Sequence, residues 1–322
     1  MGANQVLSIV LPVFILIGVG YLVARIGLMS QTVGEALGEY VYVIAIPVLV
    51  FKTLAVVNLD GQSPWAIWIA YFSGMAATWI AGNLMIRKVF GREARAGVIG
   101  GISAAFANTV MVGLPLVSQV YGDAGLVPLL LIISVHLPAM TAATAVLMER
   151  AAALDGVSTP PPMPELLKRI GKNLIVNPIV VAITCSLIWR ATSLPIEGLF
   201  QDILNRISAT ALPVALLSLG MSMVTYGIRG NVLPGFLLSV LKLGFMPATV
   251  FVMSAYVVHL PPLWTAVATL TATCPTGVNA YIFANRYGTG HAMSTNAITL
   301  TTAAAVVTSG LWYAFLETWR AF

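Results

Sequence analysis

The sequence predicts an all-α polytopic membrane protein with ten spans arranged as two inverted halves of five. Three observations carry that expectation. Only 27 of 322 residues are charged (16 Lys and Arg, 11 Asp and Glu), while 59% are hydrophobic. A soluble domain of this length would carry about 80 charges. The basic residues fall in alternate loops, and the fourth and ninth apolar stretches both carry Pro, Gly and Asn near their middles. The composition excludes a water-soluble enzyme, a disordered chain and a secreted disulfide scaffold.

A helix crossing about 30 Å of hydrocarbon takes roughly 20 residues, so the chain has room for about ten spans. The apolar stretches run over residues 5–24, 39–57, 64–86, 96–121, 126–148, 173–189, 203–228, 232–258, 263–285 and 293–319. The first lacks a basic n-region and is too long for a typical signal-peptide h-region, so it reads as a span. The polar segment 149–172, with Pro160, Pro161, Pro162 and Pro164, reads as a cytoplasmic linker between a first repeat (1–148) and a second (173–322). Cys185 and Cys274 lie in apolar segments and read as packed thiols, not a metal pair.

Placing the N-terminus outside puts Arg25, Arg87, Lys88, Arg92, Arg95, Arg150, Lys168, Arg169, Lys172, Arg229 and Arg286 in the cytoplasm, 11 of the 16 basic residues. Lys52, Arg190, Arg206 and Arg320 stay outside, and Lys242 falls within a span. That bias predicts both termini on the non-cytoplasmic side of a plasma (inner) membrane. The net charge of +5 is thus a matter of topology, and nucleic-acid binding is not expected.

The halves echo one another. Ala45-Ile46-Pro47-Val48 in span two matches Ala211-Leu212-Pro213-Val214 in span seven. Span four carries Asn108-Thr109-Val110-Met111-Val112-Gly113-Leu114-Pro115, and span nine carries Cys274-Pro275-Thr276-Gly277-Val278-Asn279. The proline offsets are 166 and 160 residues. Five spans per copy is odd, so the second copy enters the membrane from the opposite face, a common build among secondary transporters.

Proline within a span removes a donor and clashes with a carbonyl one turn back, and glycine lowers the cost of unwinding. Breaks are expected at Gly113–Pro115 and Cys274–Gly277, against protein or a wet cavity that satisfies the freed backbone. A half-helix starting at midplane directs free N–H groups and partial positive charge at the break. Two such ends could bind an anion without Arg or Lys, helped by Asn108, Thr109, Thr276 and Asn279. An ordinary proline kink is the alternative for either span taken alone.

These residues resemble the auxin efflux carrier family, which includes plant PIN-FORMED exporters and bacterial carriers of malonate and related acids. The likeness rests on 108–115 running to Tyr121-Gly122, on 274–281 followed by Ala284 and Tyr287-Gly288, and on 211–221. It implies spans 1, 2, 6 and 7 as a scaffold, spans 3–5 and 8–10 as a mobile transport domain, an elevator motion and a homodimer. It also implies that Asn108, Pro115 and Pro275 belong to a substrate site, which with the residues above is taken as Asn108, Thr109, Gly113, Pro115, Pro275, Thr276, Gly277 and Asn279. Thr276 stands where plant exporters have Gln, which favours small acids over aromatic ones.

Three ionisable groups are candidates for coupling. Lys242 is deep in span eight and could pair with substrate or pin two helices. His136, near the middle of span five, could relay protons or simply pack. Glu39 stands one turn after Glu35 at the start of span two and is expected at the cytoplasmic interface. No Asp or Glu lies deep in a span, so any coupling ion, H+ or Na+, lacks a carboxylate ligand there. No cofactor is expected. No GxxxxGK[ST], HExxH or GxSxG occurs, which disfavours an ATP-driven pump or an intramembrane enzyme. The leading expectation is a transporter of a small organic anion in the lipid bilayer. A sodium-coupled symporter of the bile-acid type and a non-translocating sensor are the alternatives.

Overall fold

The computed structural model describes residues 3–56, 63–157, 162, 164, 165, 168, 171, 172 and 175–320. Pro160, Pro161, Arg169 and the expected start of span six at Asn173 lie outside the described residues. Eleven helices are present among those described: α1 (Ala3–Arg25), α2 (Gln31–Ala55), α3 (Pro64–Val89), α4 (Ala94–Ala105), α5 (Thr109–Leu154), α6 (Pro178–Thr192), α7 (Gly198–Ser222), α8 (Val232–Val257), α9 (Pro262–Ala272), α10 (Asn279–Tyr287) and α11 (His291–Arg320). Seven of them are long and apolar enough to cross a membrane, and α6 is a shorter apolar helix. The protein is a multi-pass membrane protein.

Local chemistry sets the helix ends. Ser30 accepts from the Val33 amide and starts α2 eight residues before the expected boundary. Asn177 and Asn231 cap α6 and α8 in the same way. Pro64, Pro178 and Pro262 sit in first turns, where the missing N–H costs nothing. The 46-residue α5 is two helices joined at Gly122 (φ 58°, ψ −153°), a conformation open to glycine. The expected spans four and five are therefore contiguous through Gly122.

Five helical turns among the described residues are widened to the π form. Three of them, Val41–Ala45, Thr109–Gly113 and Leu241–Phe245, end two residues before a proline: Pro47, Pro115 and Pro247. The wide turn absorbs the carbonyl that the proline ring would otherwise strike. Pro115 accordingly sits inside a continuing helix.

The helices pack in two groups. One holds α1, α2, α6 and α7, and the other holds α3, α4, α5 and α8 to α11. In the first, α1 and α7 touch backbone to backbone. A Cβ on Gly20 would strike the Leu217 carbonyl oxygen, and one on Gly220 the Ile17 carbonyl oxygen. Ser218 Oγ donates to Gly34 O (2.8 Å), and the Tyr40 and Thr210 hydroxyls are 2.8 Å apart, tying α2 to α7. In the second group α3 lies along α4 and α8 along α11. Lys52 lies in the last turn of α2, Cys274 is buried, and Cys185 is exposed on α6.

Candidate crossover site

Between α4 and α5 the chain is non-helical at Phe106–Asn108, and between α9 and α10 it is non-helical around 273–278. The two breaks cross. Ala107 and Thr276 form an antiparallel bridge. The Asn108 amide donates to Pro275 O (2.9 Å), and the Gly277 amide donates to Phe106 O (2.8 Å). Each break thus satisfies freed backbone groups of the other, as low-dielectric surroundings require. A Cβ on Gly277 would lie 2.5 Å from Phe106 Cδ1, so this crossing needs glycine.

The first break lies upstream of the expected Gly113–Pro115. The cause is the π turn, which lets the helix pass Pro115, while Asn108 terminates it from the other side. Asn108 Oδ1 accepts from the Met111 amide (3.2 Å) as the cap of α5. Gly113 instead faces Cys274 Sγ, and Pro115 lines a separate crevice with Pro12, Pro213 and Leu216.

Side chains hold the crossing in place. Thr276 Oγ1 donates to Ser103 O (2.8 Å) at the end of α4, and the Thr276 amide donates to Thr301 Oγ1 (2.9 Å) on α11. Lys242, fully buried, donates from Nζ to Ala272 O (2.7 Å) at the end of α9 and lies 3.3 Å from Met246 Sδ. That donor satisfies a free carbonyl at the C-terminal end of a half-helix. His136 Nε2 is 3.2 Å from Ala107 O, in a cage of Tyr71, Phe72 and Phe106. A ring nitrogen facing a carbonyl carries the proton, which leaves Nδ1 as the acceptor, and Nδ1 has no partner among the described residues. Lys242 and His136 therefore both brace the crossing. Glu39, like Glu35, is exposed on α2 and is not part of it.

Beside the crossing is a cavity of about 350 Å³. Of the candidate site residues, Asn108, Thr109, Gly277 and Asn279 line it, with Phe106, Val110, Met111, His136, Val278 and, from α2, Tyr42. Among the described residues, no Lys, Arg, Asp or Glu lines it. The amides of Val110, Val278 and Asn279 have no acceptor among the described residues. These are the open N–H groups of two helix starts, α5 and α10, and all three residues line the cavity. Chemically, that space offers neutral donors to an acceptor-rich ligand.

A profile described as a membrane transport protein family matches residues 5–313. The chain belongs to this family of membrane transporters. It is the auxin efflux carrier family that the crossover motifs resemble, and membership makes the protein a transporter and not an enzyme. An "Uncharacterized transporter" of Methanothermobacter thermautotrophicus is 25% identical over 314 residues, covering 97% of this chain and 98% of its own length. A Rhizobium meliloti (strain 1021) protein named "Putative malonate transporter" is 24% identical over 323 residues, covering 96% and 95%.

Tyr42 also lines the cavity, and Asn177 Nδ2 donates to its Oη (2.9 Å); neither is marked out by its sequence pattern. Tyr42 reads in sequence as one more apolar-facing residue of span two. Its only signal is Pro47 five residues on, which widens the turn that carries it.

Proposed function

We propose that this transporter carries a small organic anion, a short mono- or dicarboxylate, by an elevator-type alternating-access motion. The observation that carries the reading is the set of three residues with open amides, together with Asn108, around a cavity that no charged side chain lines among the described residues. An anion there is stabilised by helix starts and amides, each worth about 1–3 kcal/mol when the acceptor is charged. A cavity of about 350 Å³ suits a small acid. The name of the Rhizobium relative points to the same class.

The ten-span reading counts α4 with α5 up to Gly122 as one crossing, the rest of α5 as the next, and α9 with α10 as another. The 5+5 inverted repeat gains support from the near-equal lengths of α3 and α8 and from the bridge at Ala107 and Thr276. The packing groups support α1, α2, α6 and α7 as the scaffold and the remainder as the moving body. A plasma-membrane location with both termini outside follows from the basic-residue bias, and a homodimer from family resemblance.

The test is flux of labelled malonate and other short carboxylates in proteoliposomes, with and without sodium and across pH. Wild-type protein is expected to move at least one such acid, and Asn108→Ala to reduce its flux at least tenfold. Unchanged flux in Asn108→Ala would remove Asn108 from the site. Strict sodium dependence would favour the symporter reading.

A further inference from the structure

Among the cavity's lining residues, only Tyr42 comes from the first packing group. Its hydroxyl is oriented by a chain of forced choices. Asn177 caps α6, with Oδ1 accepting from the amides of Ile179 (3.0 Å) and Val180 (3.3 Å). Those two donors fix which way the amide faces, so the group 2.9 Å from Tyr42 Oη is Nδ2. An NH2 only donates, so Tyr42 Oη is the acceptor in that bond. The single phenolic proton is left over, and no acceptor for it exists among the described residues.

We propose that Tyr42 is a specificity-determining donor, its O–H directed to a carboxylate oxygen of the substrate held at the crossing. Asn177 is the positioning residue that sets the polarity of that hydroxyl. This rests on the anion reading above and adds to it a contact from across the boundary between the packing groups. The site selects ligands that present an acceptor toward α2. The contact belongs to this arrangement of the two groups and is lost when one slides past the other. The hydroxyl therefore registers substrate in one state of the cycle.

The experiment is calorimetric binding of malonate to purified wild-type protein, Asn108→Ala, Tyr42→Phe, Asn177→Asp and the Tyr42→Phe/Asn177→Asp double variant. Tyr42→Phe keeps the ring and removes the proton, and about tenfold weaker binding is expected, the cost of a charge-assisted hydrogen bond. Asn177→Asp keeps a good helix cap. It also puts an acceptor beside Tyr42, which draws the phenolic proton away from the cavity. In that background Tyr42→Phe is expected to cost almost nothing further. The loss of that tenfold effect is a coupling that a merely structural tyrosine would not produce. Thermal unfolding without malonate checks that each variant is folded. Tyr42→Phe binding like wild type overturns the inference, as does the same tenfold loss in both backgrounds. If neither malonate nor another short carboxylate binds wild-type protein, the anion reading falls and this inference with it. If Asn108→Ala alone binds normally, the placement of the site falls while the Tyr42 measurements still decide the inference.

Discussion

At the first break the chain leaves α4 through Phe106 and re-enters helix under an Asn108 cap. At the second it leaves α9 through Cys274 and Pro275 and re-enters at Asn279 with no side-chain cap. The carbonyl ends differ as well. Ser103 at the end of α4 receives a hydroxyl from Thr276, a residue of the crossing itself, while Ala272 at the end of α9 receives the buried amino group of Lys242. The first break is therefore closed locally, by a residue of its own segment and one of its crossing partner. The second depends on a donor brought in from α8, and it keeps two of the three open amides. Two similar breaks thus divide the labour unequally: the first is closed at hand, and the second leans on a distant donor and keeps more open amides.

The largest effect should come from removing that donor. Lys242→Ala deletes a fully buried side chain and leaves the Ala272 carbonyl without its donor, and the sum of cavity and lost bond is about 3 kcal/mol or more. Thr276→Val keeps the shape and removes one neutral bond, about 1 kcal/mol. Thermal or denaturant unfolding of the two variants side by side tests the contrast, and equal losses would break it. Gly277→Ala lies between them. Its Cβ would press on the Phe106 ring at 2.5 Å, at a cost of about 1–3 kcal/mol. Because both breaks meet at that contact, carboxylate flux should fall further than stability does. A Gly277→Ala protein with wild-type flux would show that the crossing has slack.

How much of this was legible in the sequence follows from the kind of interaction involved. Charges avoid hydrocarbon, so their positions marked the spans, and the bounds of α3, α8 and α11 lie within three residues of the expected ones. The existence of two breaks was legible because Pro, Gly and Asn at span centres demand one. The position of the first was not. Pro115 suggested it, yet a π turn accommodates that proline, and the asparagine seven residues earlier is where the helix restarts. A proline signals a local conflict, and several local repairs resolve it. Contacts between distant segments left no trace in any window: the Ala107–Thr276 bridge, the reach of Lys242 to Ala272 across 30 residues, and Asn177 meeting Tyr42. The sequence leaves His136 as a proton relay or a packing residue, and the carbonyl it faces belongs to the bridge itself.

The half-helices that lead into the breaks extend the comparison to their far ends. The start of α4 is held by Asp155, just past α5, whose carboxylate accepts from the amides of Ala94 (2.8 Å) and Arg95 (3.0 Å) and pairs with Arg95 Nε (2.9 Å). The start of α9 has no ionisable cap, only Pro261 and Pro262, with the Thr265 amide donating to Pro261 O (2.9 Å). Partial burial pushes the Asp155 carboxyl up, but the two amides and the guanidinium together outweigh it and hold it below its ordinary value of 3.8. A carboxyl with a lowered folded-state pKa stabilises fully above its unfolded pKa, and that stability is lost as pH falls through the lowered value. Acid below about pH 4 should therefore loosen the start of α4 and leave the start of α9 unchanged. Amide exchange at residues 94–97 against 263–266 reads the difference directly. Asp155→Asn, which keeps one acceptor oxygen and loses the charge, should cost about 1 kcal/mol at neutral pH and abolish the acid step at α4. An acid step of equal size at both helices, or one that survives Asp155→Asn, would place the sensitivity elsewhere and make the starts of α4 and α9 equivalent after all.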